Sequence, residues 1–555
     1  LQPIGRVQMG ASPRLGDLLI DQGFINHDHL DFTLREQNAT GERMGECLMR
    51  LGLITDSDLA LVLAKQGDSP FIDLRNFLPD PKLLELIPGK VAAHYQFLII
   101  KKEENELHIA IADPFSKLAA EQAYRITGLI VHVHVAGANQ LQRMIERFYY
   151  LIEHPIEEEI KSITNKLRLN PNIDVDVQKL VDNLLGSAIS YRVTDIHITP
   201  SDISSRVMYR IDGVLKPIYV FPVSLHSRLT TNIKVNSGMD IAEQRKPQDG
   251  RMSFDFFGDT FDIRVSSVRT NFGENLVLRL LPSRGSSTFN IQELGFGKAK
   301  QQILRKTFQL PHGMVLITGP TGSGKTTTLY AALREQDAIG KNILTVEDPI
   351  EYELLMIRQT QVNVRAGYTF ASAIRTFLRQ DPDVMLIGEI RDEETAGLAV
   401  RAALTGHLVL STLHSNSAIS ALARLKDLGI SPYLMSTSLK GIMAQRLIRR
   451  LCTFCKEETT ATPEGITEFG LDPEATYYKA GRCSHCQDTG YLGRDAISEV
   501  IPISNQLMRL ISTDASLDAI EDACRAEGFT DLRESGIKKV RAGISSIEEL
   551  TRVIG

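Results

Sequence analysis

The spacing of apolar residues changes several times along this chain, and each change predicts a different element. From residue 14 to 66 apolar positions recur every three or four residues and are interrupted by glycines, which predicts short amphipathic helices. The runs 107–112, closed by Asp113-Pro114, and 129–135 read as strands. Residues 153–171 are charged and proline-bounded, which predicts a linker. An amphipathic helix is expected over 177–190, then strands at 195–198, 205–209, 261–268 and 275–281. The polar, basic run 244–251 predicts a loop. Four strongly apolar stretches follow: 314–318, 343–351, 383–392 and 405–414. They read as buried strands, and the middle two end in acids.

The eight residues after the first of these strands are Gly319-Pro320-Thr321-Gly322-Ser323-Gly324-Lys325-Thr326, with a helical stretch from Thr327 to Leu333 behind them. They fit the phosphate-binding pattern G-x-x-x-x-G-K-[ST]. The glycines let successive N–H groups face inward, so a phosphate chain rests on those donors and on the positive end of the helix. Lys325 is expected to reach the β- and γ-phosphates and Thr326 to hold Mg²⁺, with Thr327 completing the nucleotide set. Glu347 and Glu389 end the next two strands. Parallel strands ending at one edge would bring both acids and Lys325 into one crevice. Either acid could bind Mg²⁺ through water or orient an attacking water; the favoured division has Glu347 polarising water and Glu389 organising Mg²⁺. His407 and His414 bracket the last strand, where a single histidine is more often structural. Arg446, Arg449 and Arg450 read as a solvated basic helix end.

The N-terminal helices repeat. Arg14-Leu15-Gly16, Leu19, Gly23, Leu30, Leu34 and Gln37 recur 29 residues later as Arg43-Met44-Gly45, Leu48, Gly52, Leu59, Leu63 and Gln66. Each copy reads as a helix ending at a glycine, a turn and a second helix, with Asp28 and Asp56 near the N-cap positions. Two guanidiniums and two amides side by side suit a two-fold symmetric phosphate ligand; a plain helical hairpin is the other reading. Cys452-x-x-Cys455 and Cys483-x-x-Cys486 form two knuckles, the pattern of a closed structural zinc site. Cys47 and Cys524 are expected to be buried apolar residues. His132 and His134 share a strand face, as metal ligands could, but with no third ligand nearby exposed strand histidines are the favoured reading.

Composition narrows the classes. The 555 residues predict several domains. No apolar run approaches the roughly 18 residues of a membrane span, and no signal-peptide pattern stands at the start. Residues 1–13, which begin with Leu, read as a tail or cloning remnant. The net charge of −6 disfavours nucleic acid.

The segments 345–351, Gly388-Glu389 and 406–414 resemble the Asp box, atypical Walker B and His box of the ATPases of type II secretion and type IV pilus assembly. Asp195-Ile196-His197, Arg210-Ile211-Asp212-Gly213, Pro247-Gln248-Asp249-Gly250-Arg251 and Gly273-Glu274 match as well; Thr199 and Arg269 depart from the usual Glu and Pro. The resemblance implies γ-phosphate-sensing roles for Arg264 and Arg279 and adds His414 to the catalytic set. The front repeat resembles the tandem cyclic-di-GMP motif of mannose-sensitive haemagglutinin pilus ATPases. That implies dinucleotide contacts from Arg14, Leu15, Gly16, Asp17, Leu30, Leu34 and Gln37, and from Arg43, Met44, Gly45, Glu46, Leu59, Leu63 and Gln66.

The expected fold is multidomain. An α-helical tandem motif spans 14–66, a small α+β domain 67–152 and a linker 153–171. An α+β PAS-like middle domain spans 172–285. A RecA-like α/β P-loop domain spans 286–555, with its zinc-bound insert at about 452–486. The expected function is a cytoplasmic ATP hydrolase, a homohexamer working through an inner-membrane platform protein, regulated by cyclic di-GMP. A nucleic-acid translocase and a nucleotide-binding regulator without turnover are the alternatives.

Overall fold

The computed structural model describes residues 14–555 apart from 75, 76, 78, 171, 172 and 283–289. The expected tail at 1–13 and the boundary between 285 and 286 lie outside the described residues. Two compact units form. The first holds the described residues up to Ser190 with Ile196–Met208 and Pro217–Leu280; the second holds Tyr191–Asp195, Tyr209–Lys216 and the rest from Leu281.

In the first unit the repeat forms α1 (Leu15–Asp21), α2 (His27–Thr40), α3 (Met44–Arg50) and α4 (Asp56–Gln66). Leu19, Ile25, Leu48, Ile54 and Val62 make its core. The N-caps are Asn26 and Thr55, one or two residues before the expected aspartates, with side chains accepting from the N–H of His29 and Asp58. Asp56 serves elsewhere: it accepts from Gln140 N at 3.0 Å, in the first turn of the helix Ala138–Glu153. A three-stranded sheet follows, β1 (Phe97–Glu103), β2 (Glu106–Ile111) and β3 (Ile130–Val135), in order β1-β2-β3.

The expected linker is a helix, Ile156–Leu169, with Ile156, Ile160 and Leu167 buried. Its charges occupy one face, and the apolar stripe packs on the helix Val177–Ser190, where Asn183 donates to Glu159 at 3.0 Å. A six-stranded sheet comprises β4 (Val193–Pro200), β5 (Ser204–Ile211), β6 (Val214–Pro222), β7 (Gln248–Phe256), β8 (Asp259–Thr270) and β9 (Gly273–Pro282), in order β6-β5-β4-β9-β8-β7. The expected loop 244–251 therefore ends at residue 247. Its second half opens an edge strand whose polar residues alternate with half-buried ones, and edge strands carry such polarity.

The second unit holds β10 (Gly313–Thr318), β11 (Ile343–Glu347), β12 (Arg358–Gln361), β13 (Val384–Ile387), β14 (Leu408–Leu413), β15 (Leu439–Leu451), a small hairpin of β16 (Glu457–Thr459) and β17 (Tyr477–Lys479), and β18 (Tyr491–Pro502). The main sheet runs β12-β11-β13-β14-β10-β15-β18, parallel except for β18. Every residue of β10, β13 and β14 is buried, as in a sheet covered on both faces. Arg446, Arg449 and Arg450 are not a helix end but lie within β15. Arg449 turns inward because Glu549 waits there, fully buried, at 2.7 Å. Cys47 and Cys524 are buried, as expected. Among the described residues no helix is long and apolar enough to cross a membrane.

Candidate nucleotide site and cysteine cluster

The parallel register brings the ends of four strands together. Ile387 pairs with Val346 on one side and Ser411 on the other, and Thr318 pairs with Leu413. The loop 319–324 leaves β10 here and enters the helix Lys325–Arg334. Gly319 and Gly324 have φ of 146° and 86°, and a Cβ on either would strike Gln445 at 2.4 and 2.8 Å. Lys325 Nζ donates to the carbonyls of Gly319 and Pro320 at 2.8 and 3.1 Å, spanning its own loop. Burial holds this ammonium below its ordinary range, and the charge of Glu389 opposes that shift. Thr326 is exposed, free to meet a cation. Ser323 Oγ is buried without a hydrogen-bond partner, an orphan that a ligand oxygen in this cradle would satisfy.

The two acids differ sharply. Glu347 is 3% exposed. One oxygen accepts from Thr345 at 2.6 Å and Gln359 at 3.2 Å, and the other from Tyr330. Burial pushes its carboxyl up, while those donors pull the other way. Glu389 is less deeply buried, at 14% exposure, with His414 Nε2 at 3.3 Å from one oxygen and Arg391 on the other. A Cβ on Gly388 would crowd Val346 O at 3.2 Å and Glu347 Cα at 3.3 Å, so a side chain fits there only if that backbone shifts. His407, at the strand's other end, bonds Ala402 O at 2.9 Å and is structural.

Sequence reasoning missed Gln445. This buried side chain on β15 accepts from Thr328 Oγ1 at 2.8 Å and donates to Ser323 O at 2.9 Å, bracing the loop against its helix. A lone glutamine within a long strand leaves no spacing signal.

Of the two expected sensor arginines, Arg264 lies on β8, 3.8 Å from Asp262, and Arg279 on β9. Both belong to the first unit and the phosphate loop to the second.

The four cysteine sulfurs lie within 4.8 Å of one another. The pairs Cys452/Cys483, Cys455/Cys486 and Cys483/Cys486 stand 3.7, 3.6 and 3.6 Å apart. Zn–S bonds of about 2.3 Å in a tetrahedron set sulfurs about 3.8 Å apart, so the set fits that ion. His485 stacks on Phe454 with centroids 4.0 Å apart.

In the repeat, Arg14 and Arg43 are exposed. Gly16 and Gly45 are buried for a local reason: a Cβ would meet Leu30 at 2.9 Å in the first copy and Leu59 at 2.8 Å in the second. Leu15, Leu30, Met44 and Leu59 pack on the repeat core, Leu63 packs beside Ala60, Ala64 and Val135, and Leu34 is exposed. Glu46 accepts from Arg43 N at 3.3 Å.

A phosphate-binding loop at the carboxyl edge of a parallel sheet, with acids at the same edge at the ends of β11 and β13, defines a nucleoside-triphosphate-hydrolysing class. Comparison with known proteins narrows it. The type II/IV secretion system protein family matches residues 170–552, and the MshEN domain matches residues 68–154, the body that carries β1–β3. The type IV pilus assembly ATPase PilB of Myxococcus xanthus (strain DK1622) is 38% identical over 557 residues, 97% of this chain and 98% of its own. Type II secretion system protein E of Dickeya dadantii (strain 3937) is 40% identical over 488 residues, 85% of this chain and 98% of its own. The Legionella pneumophila ATPase DotB shares the fold, with a TM-score of 0.51 at 20% identity over 67% of this chain and 94% of that one. The chain belongs to the type II/IV secretion system protein family and is an ATP-hydrolysing enzyme of pilus assembly or type II secretion. Membership implies ATP and Mg²⁺.

Proposed function

We propose that this chain is a cytoplasmic motor whose ATP hydrolysis at residues 319–327 drives pilus extension or type II secretion. The observation that carries the reading is the phosphate loop itself, where Lys325 spans the carbonyls of Gly319 and Pro320, Ser323 Oγ is buried without a partner, and Glu389 is held by His414 and Arg391 at the same sheet edge. Lys325 would leave its two loop carbonyls for the β- and γ-phosphates, Thr326 would hold Mg²⁺ and Glu389 would organise it. Glu347 would polarise water once Gln359 or Tyr330 releases one of its oxygens. Arg264 and Arg279, carried by a PAS-like middle domain, would close on the γ-phosphate, and release of that clamp would turn one domain against the other. A homohexamer would deliver this motion to an inner-membrane platform protein. Zn²⁺ on Cys452, Cys455, Cys483 and Cys486 would staple the insert; the thiolate spacing supports it.

The same proposal makes the front repeat a cyclic-di-GMP receptor. Two exposed arginines in equivalent places of a duplicated unit support it, with Asp17, Leu34, Gln37 and Gln66 nearby in sequence. The test is the ATPase rate with and without cyclic di-GMP, together with calorimetry on Arg14→Ala and Arg43→Ala. A rate that responds, and binding weakened at least tenfold in each variant, is expected. Unchanged affinity in both would overturn the receptor; an Arg264→Ala variant with normal turnover would overturn the clamp.

A further inference from the structure

In the main sheet, β10 and β14 are free of polar side chains until their carboxyl ends, where Thr318, Ser411 and Thr412 appear. All three are buried. A buried hydroxyl costs free energy unless it is bonded, so each calls for a partner. The partners are backbone groups at the ends of neighbouring strands. Ser411 Oγ donates to Ile387 O and Thr412 Oγ1 to Gly388 O, both at 2.7 Å. The Gly388 carbonyl belongs to the peptide that leads into Glu389, so β14 fixes the main chain of that acid.

Thr318 does the same for His414 from the other side. Its Oγ1 accepts from Ser415 N at 2.8 Å and lies 3.0 Å from Leu413 O, 2.9 Å from Ser415 O and 2.7 Å from Ser415 Oγ. A threonine hydroxyl has one hydrogen and two lone pairs. The Ser415 amide takes one lone pair, and both carbonyls are within reach of the hydrogen. One hydroxyl thus touches the peptide groups on both sides of His414. The His414 side chain is 53% exposed, with its Nε2 3.3 Å from a Glu389 oxygen. Packing does not fix a ring so exposed, and the main chain beneath it sets where it stands. The residue after Thr318 is Gly319, whose carbonyl takes Lys325 at 2.8 Å. Thr318 therefore stands between the phosphate loop and the histidine.

We propose that Thr318 is a positioning residue for ATP hydrolysis, whose hydroxyl holds the main chain on both sides of His414 and so sets the imidazole against Glu389. The proposal rests on the reading that His414 and Glu389 serve turnover. Thr412 anchors the acid and Thr318 the histidine, so the separation of the pair is fixed by two hydroxyls that never reach the nucleotide. Thr318 and Ser415 lie 97 residues apart in sequence, and their contact laces the start of the phosphate loop to the end of β14.

The test is single-turnover release of labelled phosphate from ATP by the full chain, measured beside ADP affinity. Thr318→Val keeps the shape of the side chain and removes the hydroxyl, and Thr318→Ser keeps the hydroxyl. A small misplacement of a reacting group costs up to about 100-fold in rate, so Thr318→Val should slow the reaction about 10- to 100-fold. ADP affinity should stay at the parent value, and Thr318→Ser should restore the rate. Thr318→Cys, a weaker donor and acceptor, should fall between the two. Hydrogen exchange over 313–318 checks that β10 is intact. Because Thr318 acts through His414, adding Thr318→Val to His414→Ala should slow the reaction by less than about twofold further. A parent rate in Thr318→Val, where His414→Ala is slow, overturns the proposal. So do losses that multiply in the double variant, or a loss of ADP affinity that matches the loss of rate, which would mean that the phosphate loop itself has shifted. A parent rate in His414→Ala removes the reading beneath the proposal, and the proposal with it.

Discussion

Tyr330 donates its phenolic hydrogen to Glu347, and the two lie one on the helix after the phosphate loop and the other at the end of β11, the next strand in sequence. The contact ties the acid proposed to activate water to the element that positions Lys325. Burial raises the Glu347 carboxyl, and the Tyr330 bond lowers it. Tyr330→Phe removes a donor to the charged form, so the Glu347 pKa should rise. A bond to a charged group is worth about 1.5–3 kcal/mol, so losing it should move the acid limb of kcat clearly upward. Activity should recover at higher pH. A pH–rate profile decides it: an unmoved limb means that Glu347 is not the group whose ionisation the rate reports.

Gln445 yields a second prediction. Its amide joins Ser323 O to Thr328 Oγ1 across the mouth of the loop. Gln445→Leu strands both groups in a buried setting, at about 1–3 kcal/mol each. Nucleotide affinity should fall at least tenfold, measured with a fluorescent ATP analogue, while β15 keeps its hydrogen-exchange protection. Full affinity would mean that the glycines alone hold the loop.

What the sequence made legible divides along a physical line. The stretch 319–326 and the four cysteines could be read because phosphate cradling and tetrahedral thiolate binding demand fixed residue types at fixed short spacings. Gln445 acts through contacts made more than 100 residues away, so no local pattern announces it. Arg449 was misread for the same reason. A basic triplet looks solvated until Glu549, near the C-terminus, is seen to occupy the interior beside it. The repeat is visible as a repeat, and the family resemblance assigns its glycines to dinucleotide contacts. Leu30 and Leu59 supply a packing reason for them, which the 29-residue period alone could not distinguish.

That packing reason is itself testable. Gly16→Ala and Gly45→Ala each place a methyl within 3 Å of a leucine Cδ atom. Forcing an extra methyl into a packed contact costs about 1–3 kcal/mol. Both variants should lower the hydrogen-exchange protection of 14–66, equally in the two copies because the geometry is the same. Pairing Gly16→Ala with Leu30→Ala should recover part of the loss. If the single variants leave protection intact, the leucines give way freely and the glycines are kept for another purpose.

The Arg449–Glu549 pair sets a pH window. Burial alone would push the Glu549 carboxyl up, but hydrogen bonds from Arg552 and Arg449 outweigh it and hold the group below the ordinary range. A depressed carboxylate contributes stability above its unfolded pKa of about 4.3, and that contribution is lost as pH falls through the folded value. Glu549→Gln leaves the guanidinium of Arg449, largely buried at 12% exposure, facing a neutral amide. Breaking such a pair costs about 3–5 kcal/mol. Hydrogen exchange over 439–451 and 491–502 should therefore speed up most at pH 7, and the gap from the parent chain should begin to narrow as pH falls below about 4.3 and close only below the depressed folded value, where the parent has lost the same charge. A deficit that stays constant across that range would mean that the carboxylate's shape, rather than its charge, holds β15 in place.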